Sequence, residues 1–264
     1  MGHTGNAALA AAVGVVGRGV TLAYGPRVVL ERCDFTLPPA SITALVGPNG
    51  SGKSTLLNAM AGIVTPRAGT LEIVGRPVAG SSAGTAMVLQ TTPENAVLPV
   101  TVREVVTMAR FAQRGMLRRL RAEDRRAVND AMARLEVTQL ADQQLRELSG
   151  GQRQRVLVAQ GLAQEAELLL LDEPVTGLDL VSRQRILDAM RAERDAGRSV
   201  VFSTHDLEDA EQADHVLLLA GRVVAAGPPQ VAITPDTLRE AYSGRMLRPP
   251  PADHHHAHEP FPRR

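Results

Sequence analysis

The sequence predicts an α/β fold in which a mainly parallel sheet carries a phosphate-binding loop, preceded by an N-terminal antiparallel β subdomain and interrupted by an inserted helical subdomain. Three observations lead there. Gly47-Pro48-Asn49-Gly50-Ser51-Gly52-Lys53-Ser54 has the form G-x-x-x-x-G-K-[ST] and stands between an apolar, β-branched run at 42–46 and a helical pattern at 54–61. Leu168-Leu169-Leu170-Leu171 is apolar throughout, as suits a strand covered on both faces in a parallel sheet between helix layers. From about residue 92 to 165 the pattern turns helical, with 102–114, 122–135 and 151–163 the best candidates.

Along the chain, residues 1–16 read as a mobile leader; the apolar stretch 7–16 is short, has no basic start and is followed by Gly17, so it is not expected to be a signal peptide. Strand character appears at 19–24 and then at 28–30 and 35–37, which short polar turns separate and which read as antiparallel. It recurs at 42–46, 70–74, 168–171, 199–203 and 215–219, within one domain spanning 17–248. After Pro249-Pro250-Pro251 the tail 249–264 holds His254, His255, His256 and His258 between Asp253 and Glu259. Those imidazoles have the chemistry to bind Zn²⁺, but adjacent histidines without a scaffold read first as a polar, disordered tail.

Composition narrows the classes. At 264 residues and 44% hydrophobic content, the chain can bury a large core. A net charge of +1 gives no electrostatic case for nucleic acid, and the Arg-rich block 110–126, interleaved with Glu123 and Asp124, reads as a solvated helix face. No run approaches the roughly 18 apolar residues that a membrane span needs. Cys33, the one cysteine, has no internal disulfide partner and fits a reducing compartment.

The loop at 47–54 has a readable mechanism. Its glycines let successive N–H groups point inward, and the start of the following helix adds partial positive charge. Lys53 then reaches the β- and γ-phosphates, and the Ser54 hydroxyl ligates Mg²⁺. Lys53 is also the sole lysine among 29 basic residues; a chain otherwise committed to arginine keeps a compact ammonium where a planar guanidinium does not fit. Leu148-Ser149-Gly150-Gly151-Gln152 makes a second anion edge, with Ser149 an N-cap and two glycines exposing backbone N–H groups at a helix start. Asp172 and Glu173 directly follow the leucine strand, so both carboxylates emerge at its end.

Over roughly residues 18 to 232 the sequence resembles the ATPase subunits of ATP-binding-cassette (ABC) transporters, with their motifs in the family's order. Tyr24 matches the aromatic that stacks on adenine, although core packing is the alternative. Gly47 to Thr55 matches the Walker A loop, Gln90 the Q-loop glutamine, Leu148 to Gln152 the signature, Leu168 to Glu173 Walker B, Gly177-Leu178-Asp179 the D-loop and His205 the switch histidine. The resemblance implies a P-loop NTPase core, ATP as substrate and Mg²⁺ held by Ser54, Asp172 and Gln90. It implies Glu173 as the base that positions water, His205 and Lys53 at the γ-phosphate, and Gln90 in contact with Mg²⁺ or water, linking nucleotide state to the helical subdomain. It also implies a head-to-tail homodimer with each ATP between Walker A of one subunit and Ser149 to Gln152 of the other. Separate membrane permease subunits, an extracytoplasmic substrate-binding protein and a position on the cytoplasmic face of the membrane complete the expectation.

Leu98 to Arg110 resembles the segment after the Q-loop in zinc and manganese importers, so a divalent metal importer is the expected cargo class. Ala159-Gln160-Gly161-Leu162-Ala163-Gln164 departs from the common Ala-Arg-Ala-Leu and resembles a zinc subgroup. Gly161 in a helix interior costs up to about 1 kcal/mol relative to Ala, which points to close packing there. A soluble cofactor-assembly ATPase, or an ABC ATPase for another cargo, is the alternative.

Overall fold

The computed structural model describes residues 14–78, 84–89, 99–114 and 119–243. Gln90, most of the expected leader and the histidine-rich tail lie outside them. Two sheets form the body. Strands β1 (Val15–Tyr24), β2 (Arg27–Leu37), β4 (Ala68–Ile73) and β5 (Arg76–Pro77) make an antiparallel sheet in the order β2-β1-β4-β5. Strands β3 (Ile42–Val46), β6 (Thr85–Val88), β7 (Leu168–Leu171), β8 (Ser199–Thr204) and β9 (His215–Leu219) run parallel, and β10 (Val223–Gly227) joins β9 antiparallel at one edge, giving the order β10-β9-β3-β8-β7-β6.

The parallel strands are mainly apolar, and β7 is leucine at every position, because both of their faces are covered. Leu169, Leu171, Val200, Phe202, Val216 and Leu218 point into one core, while Leu168, Leu170, Val201, Leu217 and Leu219 point into another. The second core is closed by helix α1 (Lys53–Met60), through Leu56, Leu57 and Met60, and by the antiparallel sheet, through Val20, Leu22, Leu30 and Phe35. The first is closed by helices α2 (Val102–Arg114), α3 (Ala122–Arg134), α4 (Gly150–Leu162) and α5 (Leu180–Asp195). Each fully buried leucine of β7 contributes about 1.5–3 kcal/mol relative to exposure, so the leucine run stabilises both cores at once.

Several expectations change on contact with the structure. Residues 28–30 and 35–37 are not separate strands: one strand, β2, spans both, with a register shift beside the exposed Glu31 and Arg32, with Asp34 exposed, and with Cys33 and Phe35 turned inward. A strand with one face in water tolerates such polar residues, so they do not signal a turn. The first strand begins earlier than the expected boundary at 17, with Val15 paired to Leu37 and Val16 to Thr36. Helix α5, strand β10, the short helices α6 (Leu207–Glu211) and α7 (Pro229–Ala232), and α8 (Pro235–Ser243) had no counterpart in the sequence reading.

The Arg-rich block is not a uniform solvated face. Arg110 is 6% exposed; its Nε donates to Asp124 Oδ1 at 2.9 Å, and its Nη1 donates to Ala163 O at 3.0 Å and to Glu165 Oε2 at 2.9 Å. Asp124, fully buried, also accepts the Arg121 N–H at 2.8 Å as part of the α3 capping box. One guanidinium thus joins α2, the start of α3 and the end of α4, while Arg121, Arg125 and Arg126 stay exposed. A second buried carboxylate anchors α3 to the core: Glu193 of α5 accepts from Arg134 Nη1 at 2.7 Å and Arg198 Nη2 at 2.8 Å.

Gly161 is required by packing. A Cβ built there falls 2.6 Å from Val88 Cγ2 and 3.1 Å from Leu169 Cδ1, both on buried strands of the sheet. Gly161→Ala gains up to about 1 kcal/mol of helix propensity but overpacks against a stiff β-branched side chain, an effect of about 1–3 kcal/mol. The expected result is a lower Tm; a raised one in thermal unfolding contradicts the packing account.

Candidate nucleotide site

The site lies at the carboxyl ends of the parallel strands, where open α/β sheets place their ligand crevices. Strand β3 ends at Val46 and delivers the loop 47–52; its neighbour β8 ends at Thr204 and delivers His205; β7, next to β8, ends at Leu171 and delivers Asp172 and Glu173. Three segments far apart in sequence therefore share one edge.

In the loop, Gly47 has φ 150°, and a Cβ there would lie 2.0 Å from Leu219 O, so no side chain is tolerated. Gly52 caps α1 in a left-handed conformation with φ 104°. Lys53 Nζ, largely buried, donates to Gly47 O at 2.7 Å and Pro48 O at 3.2 Å, bending back over its own loop. Val29, Asn49, Gly50, Gly52, Lys53, Ser54, Thr55 and Glu173 line a cleft of about 230 Å³. Tyr24, 52% exposed at the end of β1, is not a core residue.

Ser54 Oγ donates to Asp172 Oδ1 at 3.1 Å, bringing together two of the three expected Mg²⁺ residues. The same carboxylate oxygen accepts from Ser203 Oγ at 2.5 Å, and Ser203 Oγ in turn accepts the Glu173 N–H at 2.8 Å. Glu173 sits at φ 47°, a left-handed conformation that costs a non-glycine residue about 1–2 kcal/mol, and the Ser203 bond helps hold it there. His205 Nδ1 is 3.7 Å from Glu173 Oε1. The sequence reading missed Ser203 and Val29. Ser203 had a signal: a fully buried hydroxyl in a strand covered on both faces must find a partner.

Ser149 is the helix N-cap that the sequence predicts. It caps α4, accepting the Gln152 N–H at 3.3 Å, while Gln152 Oε1 accepts the Ser149 N–H at 2.9 Å. The two glycines that follow differ: a Cβ on Gly150 meets open space, whereas one on Gly151 falls 2.6 Å from Ser182 Oγ and 2.8 Å from Asp179 Oδ2. Asp179 is the N-cap of α5, and hydrogen bonding from the Ser182 N–H lowers its pKa below the usual aspartate value. None of residues 148–152 lines the cleft around the phosphate loop.

The model of the ABC transporter family matches residues 30–176. The chain belongs to the ABC transporter family. Among its relatives, the manganese transport system ATP-binding protein MntA of Synechocystis is 38% identical over 230 residues, covering 86% of this chain and 88% of that one. The zinc transport system ATP-binding protein TroB of Treponema pallidum is 36% identical, covering 86% of each. Among solved structures, cbiO1 from Clostridium perfringens, part of the ABC transporter complex cbiONQ, superposes with a TM-score of 0.72 at 27% identity over 83% of this chain and 90% of that one. The chain is an ABC ATPase and binds nucleotide. Among the described residues, no helix is long and apolar enough to cross a membrane.

Proposed function

We propose that the chain binds and hydrolyses ATP with Mg²⁺ as one half of a head-to-tail dimer and so energises a membrane permease that imports a divalent metal, zinc or manganese. The observation that carries the enzymatic part is the meeting of Lys53, Ser54, Asp172, Glu173 and His205 at one sheet edge, with the Ser149-capped helix kept out of that cleft. A second phosphate-binding edge that does not serve its own cleft serves another copy's.

The donor set suits the ion. Ser54 and Asp172 offer a hydroxyl and a carboxylate, hard oxygen ligands of the kind Mg²⁺ takes alongside waters and substrate phosphates. When bound, Mg²⁺ neutralises developing charge on the phosphates. The chain's own residues do the rest. The loop N–H groups and Lys53 hold the phosphates, Ser203 fixes the backbone from which Glu173 reaches the attacking water, and His205 contacts the γ-phosphate beside it. Gln90, which lies outside the described residues, is assigned to the same ion and water. Tyr24 stacks on the base, and Asp179 with Ser149 to Gln152 closes over the partner's nucleotide, supplying stabilisation that neither half has alone.

The dimer is tested by turnover against protein concentration. A rate per subunit that rises with concentration and then saturates is expected; a strictly first-order dependence down to monomeric dilution removes the composite site. The cargo rests on the manganese and zinc relatives, and the peripheral, cytoplasmic-face location rests on a permease partner. Co-expression with a neighbouring multi-span permease and uptake of radiolabelled zinc or manganese into vesicles tests both, with ATP-dependent uptake of neither metal as the refuting outcome.

A further inference from the structure

Arg183 and Asp209 do not line the nucleotide cleft, yet they stand between its machinery and the second anion edge. Arg183 lies in the first turn of α5, and its N–H bonds to Asp179 O at 2.9 Å. Its Nε and Nη2 reach Asp209 Oδ1 at 2.9 and 2.6 Å. Asp209 is buried on α6, four residues after His205, and Asp206 between them caps that helix by accepting the Glu208 N–H at 2.8 Å. Burial pushes the Asp209 carboxyl above the usual aspartate range, and the Arg183 guanidinium opposes that rise. Two nitrogens of one planar guanidinium converging on one carboxylate oxygen make the contact directional.

The other end of this connection is the glycine-rich edge. Gly151 approaches the start of α5 so closely that a Cβ would strike Asp179 and Ser182. A shift of the α4 start therefore moves the α5 start, and Arg183 carries that motion to Asp209 and the segment bearing His205. In a head-to-tail dimer, the glycine edge and the histidine of one subunit face two different nucleotides.

We propose that the Arg183–Asp209 ion pair is a positioning pair that couples the two clefts: it ties the placement of His205 over its own nucleotide to the seating of the partner's nucleotide on Ser149 to Gln152 of the same chain. This rests on the assignments of His205 and of the glycine edge made above. The consequence is cooperativity in ATP hydrolysis that depends on residues touching neither nucleotide.

The test compares wild type, D209N, the double variant R183Q/D209N and H205A, reading ATP turnover against ATP concentration together with nucleotide affinity and Tm. The double variant leaves no unpaired buried charge and serves where D209N fails to fold. Wild type is expected to show a Hill coefficient above unity. The pair variants are expected to bind nucleotide within about twofold of wild type, to lose about tenfold in kcat and to fall toward a Hill coefficient of unity, in the range of typical coupling effects. D209E, which restores the charge, is expected to recover most of both. A merely structural pair lowers Tm and leaves the Hill coefficient of the folded enzyme unchanged. That result, or a non-cooperative wild type, overturns the coupling. Wild-type turnover by H205A instead removes the histidine assignment, so the two failures are distinguishable.

Discussion

Glu173→Gln is expected to lower ATP turnover by about two to three orders of magnitude while leaving ATP binding intact, the loss that follows when general-base work is removed. The substitution isolates the carboxylate. Glutamine keeps the side-chain volume, and the bond that holds residue 173 in its left-handed conformation runs from its backbone N–H to Ser203 Oγ, so the fold at the strand end is unchanged. What disappears is the acceptor for a proton from the attacking water, together with the charge 3.7 Å from His205 Nδ1. Phosphate release and equilibrium binding of a fluorescent nucleotide separate the two effects. Slow turnover with tight binding is the expected pair, accompanied by an ATP-dependent dimer on gel filtration because the closed state is no longer discharged. Turnover near wild type moves the base elsewhere.

Lys53→Ala is expected to abolish detectable hydrolysis and to weaken nucleotide binding by about ten- to a hundredfold, the size of losing charge-assisted hydrogen bonds worth about 1.5–3 kcal/mol. Lys53 Nζ donates to Gly47 O and Pro48 O, two carbonyls of the loop it serves. Lys53→Arg is expected not to rescue, because the planar fork is wider than the space a compact ammonium fills. Hydrolysis retained in either variant contradicts the phosphate-loop assignment.

Much of the site was legible because its parts are local. The strand, the glycine loop and the helix that follow one another at 42–60 make an anion cradle within a single short segment. Ser149 with Gln152 makes a capping box within four residues, and Asp172 and Glu173 emerge together because they are adjacent. The leucine run gave away burial on both faces because period-2 alternation vanishes when neither face meets water. Arg110 was misread for the opposite reason. Its partners Asp124 and Glu165 come from two other helix ends, and nothing in the local charge pattern separates it from Arg121 or Arg125, which are exposed.

By itself the sequence determined the local parts: the glycine loop with its lysine, the adjacent carboxylates after the leucine strand, and a main sheet that is parallel and covered on both sides. Only the tertiary structure decided how those groups meet. The order of strands in the sheet places β8 between β3 and β7, and so sets Ser203 beneath both Asp172 and Glu173 and His205 beside the latter. It likewise decided that Gly151 and Gly161 are glycines because other elements press against them. The physical reason is that hydrogen bonding and periodicity act over a few residues and leave their mark in the spelling. Strand order and close approach are settled by burial summed over the whole chain, and no short segment records that sum.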